Sequence, residues 1–195
     1  MIKHFSKNLR SERLELKHLI PNMQNAEMIY NVLKQEKASD YKYEPLMFPN
    51  ALPESVQETL KMMKLNDKFE KNNGRVYYLF YNRQFIGVRK LYLFKETNTL
   101  KLSTVWIVSW ARKMGFAKES YRLLEDIAFN KLKVNKIMRV NISENKISAL
   151  LAKQTGFILD GVSRQAVWMN GKFYDLMLWS KLYTDYKKEK NNHRK

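Results

Sequence analysis

The stretch "SWARKMGFAKESYRLLEDIAF", residues 109–129, changes character part way along. It opens with Arg112, Lys113, Gly115 and Ala117. From Phe116 onward, Ala117, Tyr121, Leu124 and Ala128 recur at the spacing of an amphipathic helix. The run before it, "TLKLSTVWIV", reads as a strand. A strand feeding a basic, glycine-bearing loop and then a helix aims unbonded N–H groups and the positive dipole end at one point. Gly115 lets the backbone approach an anion with no Cβ in the way. Arg112 and Lys113 add charge-assisted donors. The pattern Arg-x-x-Gly-x-Ala is neither a Walker loop, which needs Gly-Lys-Ser/Thr, nor a dinucleotide fingerprint, which needs three spaced glycines. Taken alone, it suits a plain basic turn as well as a phosphate cradle.

Working outward, "ERLELKHL" places Leu14, Leu16 and Leu19 as a first strand, and "NMQNAEMIYNVLKQEK" puts Ala26, Ile29 and Leu33 on one helical face. "YEPLMFPNALPES" carries three prolines and predicts an irregular loop, with Pro53 in the first turn of a helix whose inner face is Val56, Leu60 and Met63. "RVYYLFY" and "QFIGVRKLYLF" are an antiparallel pair divided by Asn82-Arg83. After the opening stretch, "KIMRVNI" alternates Met138, Val140 and Ile142 as a strand, and "SENKISALLAKQTGF" holds a short helix closing at Gly156. "FILDGVSRQAVWM" and "KFYDLMLWSKL" form a last hairpin through Asn170-Gly171. This order predicts an α/β (α+β) domain, a mixed sheet with helices on both faces.

At 195 residues and 45% hydrophobic, the chain can bury one substantial core, and no repeat or flexible linker divides it. A single domain over residues 1–186 is expected, followed by a basic tail, 187–195, without fixed structure. No apolar run approaches the ~20 residues that span a bilayer, which points away from membranes. The absence of cysteine excludes thiolate chemistry and Cys-based zinc sites, and His4, His18 and His193 form no ligand pair. A cytoplasmic, metal-free protein is the expectation. The formal charge of +17 draws anions, although the codon bias of an A/T-rich genome, which favours Lys and Asn, could also produce it.

The loop at 112–117 resembles the Gln/Arg-x-x-Gly-x-Gly/Ala signature of the GCN5-related N-acetyltransferases (GNAT), which grip the pyrophosphate of acetyl-CoA. "NKIS" at Asn145 to Ser148, followed by Gly156-Phe157, is similar to the family's second landmark. The start "LRSERLELKHL" and the closing "DGVSRQAVWMNGKFYDLMLWS" look like the RimJ/RimL group, which acetylates ribosomal-protein N-termini and small amines. Together these motifs run from about Leu9 to Leu182, and they favour the cradle. The resemblance implies a mostly antiparallel central sheet splayed between "STVWIV" and "KIMRVNI", with acetyl-CoA in the gap and no metal. It assigns Val105, Ile107 and Val108 to the pantetheine arm through main-chain groups, and Arg112, Lys113, Met114, Gly115, Phe116 and Ala117 to the pyrophosphate. Asn145 and Ser148 join them. A ribosome or ribosomal-protein contact, and a monomer or homodimer, are further expectations.

The implied reaction is direct attack of a primary amine on the thioester. It needs a neutral amine, donors for the oxyanion, and a proton for the thiolate. Backbone N–H near Ile107 suits the oxyanion and Ser148 the proton, while Ser148 also fits a plain first-turn serine. The tyrosine that many members use falls on Ala152, and Val167 follows Gln165-Ala166 where RimL-like enzymes carry an acid. No carboxylate stands out as a base. An α-amine of pKa ~8 is roughly a tenth neutral at pH 7, against far below a thousandth for a lysine near ~10.4, so a base-poor site suits α-amines. Two rivals share these features: an acyl-CoA-binding GNAT-like protein with little catalysis, and a basic RNA- or ribosome-binding module.

Overall fold

A computed structural model describes residues 8–37, 52–71, 74–169 and 171–192. The sequence predicts one opening strand; two short ones form instead, β1 (Asn8–Arg10) and β2 (Leu14–Lys17). They are joined at a turn where Ser11 N–H reaches the Leu14 carbonyl at 3.0 Å. Asn22 caps α1 (Met23–Leu33) by accepting the Asn25 N–H at 2.8 Å, and Ala26, Ile29 and Leu33 are its buried face, as the spacing predicts. The proline-rich segment lies outside the described residues as far as residue 51. Helix α2 (Val56–Lys71) starts beyond Pro53. Ser55 makes the cap: its hydroxyl accepts the Glu58 N–H at 3.1 Å, and the Glu58 carboxylate takes the Glu54 N–H at 2.8 Å. Met63 is fully buried with Thr59 and Asn66, while Val56 and Leu60 are half-buried.

Strands β3 (Gly74–Tyr81) and β4 (Gln84–Phe94) are joined by Asn82 and Arg83, both at positive φ (47° and 65°), the mirror-image turn that matches strand twist. Leu79 pairs with Gly87 but Phe80 pairs with Phe85, so Ile86 is an extra residue and Phe85 and Arg89 face opposite sides of the sheet. Then follow β5 (Thr99–Ile107), α3 (Phe116–Asp126), β6 (Lys136–Ile142), α4 (Lys146–Gln154), β7 (Ile158–Met169), β8 (Lys172–Leu182) and α5 (Tyr183–Asn192). The sheet order is β1-β2-β3-β4-β5-β6-β8-β7, antiparallel throughout except between β5 and β6. On one face Phe85 lines a cavity with Met28 and Val32 of α1; on the other, the α3 ring of Tyr121 lies 3.6 Å from the Arg89 guanidinium carbon.

The parallel junction is short. Thr99, Leu100 and Lys101 pair with Lys136, Ile137 and Met138, and beyond them β5 and β6 part. Where they part, Arg89 opposes Val105 and Leu91 opposes Leu102, so Ser103 and Thr104 share the single partner Lys90. That bulge bends β5 away from β6 and opens the sheet.

Two sequence expectations change. Alternation in β6 identifies a strand, but its deeper row is Ile137, Arg139 and Asn141, with Met138 and Val140 only half-buried. Period alone does not say which row faces a core, and here polar residues occupy it. The tail read from Lys187 as structureless is helical to Asn192. The Phe129 ring packs at a tilt against Tyr183 and Tyr186 at 5.9 and 5.0 Å, and Lys181 Nζ, buried, meets Glu189 at 2.5 Å and Glu125 at 2.8 Å.

Candidate active site

Gly115 has φ 84° and caps α3 with no side-chain hydrogen bond. Glu119 N–H donates to its carbonyl at 3.0 Å, so the N–H groups of Phe116, Ala117 and Lys118 precede the first intrahelical bond. A Cβ on Gly115 would come within 4 Å of a single neighbour, Arg13 Nη2 at 3.5 Å. The space before the helix is therefore open to a ligand, and the left-handed φ favours glycine there. Lys113 adopts φ 63° and is exposed together with Met114. The Phe116 ring is buried 4.8 Å from that of Tyr81, leaving its N–H as its contribution. This arrangement fits a pyrophosphate.

Two side chains the sequence reading passed over hold the cradle. Arg13 donates from Nη1 to the Met114 carbonyl at 3.1 Å, lies 4.6 Å over the Phe116 ring, and bonds Glu119 through Nε at 2.8 Å. Burial works against the Glu119 charge, but bonds from the Ser11 hydroxyl and the Arg13 N–H and guanidinium prevail and hold its carboxyl below its usual range. Glu36 is the second. Its carboxylate takes the Ser109 N–H at 2.9 Å and hydroxyl at 2.9 Å, and stands 3.6 Å from Arg112 Nη2. Arg112 also donates from Nε to the Ile107 carbonyl at 2.9 Å, so its guanidinium ties the loop to the end of β5. Ser11-Glu12-Arg13 was visible as part of a motif; nothing in the sequence marks Glu36.

Along β5 the main-chain groups alternate between β4 and the cleft. Val108 N–H donates to the Ile86 carbonyl at 2.9 Å, on the β4 side, and its carbonyl accepts from Ala111 at 3.1 Å. The Val108 N–H is therefore held within the sheet, and its carbonyl keeps one lone pair for a further donor. Trp106 shares the β4 side by alternation, and Val105 and Ile107 turn their N–H groups toward the open side.

On the opposite wall Asn145 caps α4 by accepting the Ser148 N–H at 3.0 Å. The Ser148 hydroxyl, half-buried, accepts from Arg139 Nη2 at 2.8 Å. Arg139, 2% exposed, lies 4.7 Å over the Tyr121 ring and 5.9 Å from Phe157. An arginine in the middle of "KIMRVNI" was the available signal for this side chain. The β7–β8 hairpin at the same end is bulged as well: Ser163 pairs with Leu176 and Val167 with Tyr174, so three residues oppose Asp175. Asp175 holds it by accepting the N–H of Gln165, which has φ 49°. Val167 is half-buried.

Residues 35–179 match the family model described as the acetyltransferase (GNAT) domain, and the chain belongs to that family. It is 25% identical over 118 residues to YdaF of Bacillus subtilis (strain 168), which bears the provisional name of a ribosomal N-acetyltransferase. That match takes in 60% of this chain and 64% of YdaF, a little under two thirds of the relative's length. Among solved structures, the microcin C7 self-immunity acetyltransferase MccE, in complex with acetyl-CoA and AMP, superposes with TM-score 0.76 at 20% identity over 93% of this chain and 99% of that one. RimL, the ribosomal L7/L12 α-N-protein acetyltransferase, in complex with coenzyme A, gives 0.74 at 17% over 88% and 95%. Among the described residues, no helix is long and apolar enough to cross a membrane, and no three His, Cys, Asp or Glu side chains group as a metal site.

Proposed function

We propose that the chain is an acetyl-CoA-dependent N-acetyltransferase acting on a primary amine, with protein N-termini the favoured acceptors. One observation carries the reading: the helix N-terminus at Gly115 is the next element, after a 3-10 turn at Ser109–Ala111, beyond the strand that bulges at Ser103 and Thr104 and leaves β6 after Lys101. A diphosphate group and an extended amide-bearing arm match that pair of features. Acetyl-CoA, when bound, supplies a thioester-activated acetyl group. Phe116, Ala117 and Lys118 would hold its pyrophosphate by N–H groups, with Lys113 as counter-charge. Val105 and Ile107 would offer N–H groups to the arm and the carbonyl oxygen. Ser148 would donate a proton to sulfur, since its backbone is fixed by Asn145 and its hydroxyl oxygen by Arg139.

The α-amine preference rests on the sequence, where no Asp or Glu adjoins Gln165-Ala166, and on Asp175, which among the described residues is engaged with the Gln165 N–H. An amine already partly neutral at pH 7 needs no such base. A ribosomal-protein acceptor and a cytoplasmic setting are consistent with the name of YdaF and with the charge of +17. Mass spectrometry of the purified protein for bound CoA, followed by acetylation of an amine panel, tests the reading. CoA bound with turnover of α-amine peptides is the expected result. CoA binding without turnover of any amine would favour the acyl-CoA-binding rival, and salt-dependent RNA binding indifferent to acetyl-CoA, with no turnover, would favour the RNA module.

A further inference from the structure

We infer that Arg139 is a positioning residue for this reaction, aiming the Ser148 hydroxyl at the leaving sulfur and steadying its oxygen while the proton is away. The inference rests on the Ser148 role proposed above. Arg139 lies on β6, the strand that forms one wall of the open gap, and is 2% exposed. Its Nη2 donates to Ser148 Oγ at 2.8 Å and to the Ser148 carbonyl at 3.2 Å, so two atoms of one residue are fixed by one nitrogen. The rings of Tyr121 and Phe157, at 4.7 and 5.9 Å, hold the guanidinium in place. Among the described residues no carboxylate lies within ion-pair distance of Arg139, and its Nε and Nη1 are buried without a hydrogen-bond partner. Burying a guanidinium in that way is costly, and the bond to Ser148 is what the burial provides.

The chemistry follows from donor counting. A serine hydroxyl has one proton and two lone pairs, while a guanidinium donates and cannot accept. With Arg139 on one lone pair, the Ser148 proton must point to an acceptor elsewhere. In the transfer, the amine lone pair forms the C–N bond and the C–S pair moves onto sulfur. Sulfur takes the hydroxyl proton, and the surplus proton on nitrogen returns through water to Oγ. Negative charge develops on Oγ between those two proton movements, next to a cation that is already in place.

The test is a double-mutant cycle on the full chain with an α-amine peptide, reading kcat, acetyl-CoA affinity by calorimetry and melting temperature. Arg139→Gln should lower kcat about tenfold or more while affinity stays within about threefold. In the Ser148→Ala background the same change should cost less than about twofold, because residues acting through one another are not additive. Arg139→Lys, which keeps a charged donor, should recover part of the loss. Equal losses in both backgrounds would overturn the positioning role while leaving Ser148 in place. If Ser148→Ala alone is near the parent, the Ser148 role falls and this one with it. Variants at Arg139 that cannot fold would make it a packing residue and end the proposal.

Discussion

At φ 84°, Gly115 holds a backbone conformation that costs a β-branched residue about 1–2 kcal/mol, and the N–H groups after it face open space. Gly115→Val should therefore reduce acetyl-CoA affinity by at least about tenfold, more than strain alone explains, because its methyl groups enter the cradle. Calorimetric titration beside a melting curve reads both effects; unchanged affinity in a folded variant would take the loop out of the site. Ser148 makes a complementary case. Its N–H serves the Asn145 cap, and alanine keeps that bond, but alanine also takes an acceptor from the buried Arg139, so Ser148→Ala should lower the melting temperature while leaving the protein folded and cofactor affinity little changed, and kcat should fall about 10²-fold. A kcat within a factor of a few of the parent would return Ser148 to a purely helical role. Sequence reading found both residues because short-range rules govern them: a left-handed glycine before a helix, and a serine in the first turn behind an asparagine cap. It passed over Glu36 and did not foresee that β4 takes the Val108 N–H, because main-chain satisfaction depends on residues far away in sequence. Glu36 reaches Ser109 across 73 positions, and the Val108 N–H is taken by Ile86.

Elements carry the next level of constraint. The turn between β1 and β2 is tied to α3 by Ser11, Arg13 and Glu119, and this tie orients the helix whose N-terminus forms the cradle. Glu119 has its carboxyl held down in the folded state, so its contribution to stability is present above its ordinary pKa of 4.5 and is lost as pH falls through the lower folded value. Melting temperature measured from about pH 6 down to about pH 3 should show the parent losing its advantage over Glu119→Gln across that window. A constant gap between the two would mean that the carboxylate charge plays no part in the tie. On the acceptor side, the β7 bulge brings Val167, half-buried and paired with Tyr174, next to Gln165 and Ala166. Val167→Glu should remain folded and gain rate with lysine-like amines while changing little for α-amine peptides. A folded variant with no change in preference would remove the base-poor explanation. Element types and order from α1 to β8 were legible in the sequence, as were the β3–β4 and β7–β8 hairpins, and the family resemblance gave the place of the splay. The α5 helix was not, because "KKEKNN" has no apolar period; its order comes from Tyr183, Tyr186 and the buried Lys181, which lie before or at the edge of the basic run.

For the molecule as a whole, the account holds that one open seam in the sheet and the helix beside it form a single acetyl-CoA site. Charge is not diagnostic at this scale, since a field of +17 favours any anion. The alternation of β5 is diagnostic, because its amides divide between a strand that is present and a ligand that is not part of the fold. Residue-resolved amide hydrogen exchange by NMR, with and without acetyl-CoA, measures that division directly. The account predicts that acetyl-CoA slows exchange at Val105 and Ile107 and at Phe116, Ala117 and Lys118. It should add little at Val108, whose N–H is already bonded to Ile86, or at Trp106 on the same side of β5. Protection spread evenly along β5, or none at the start of α3, would contradict it.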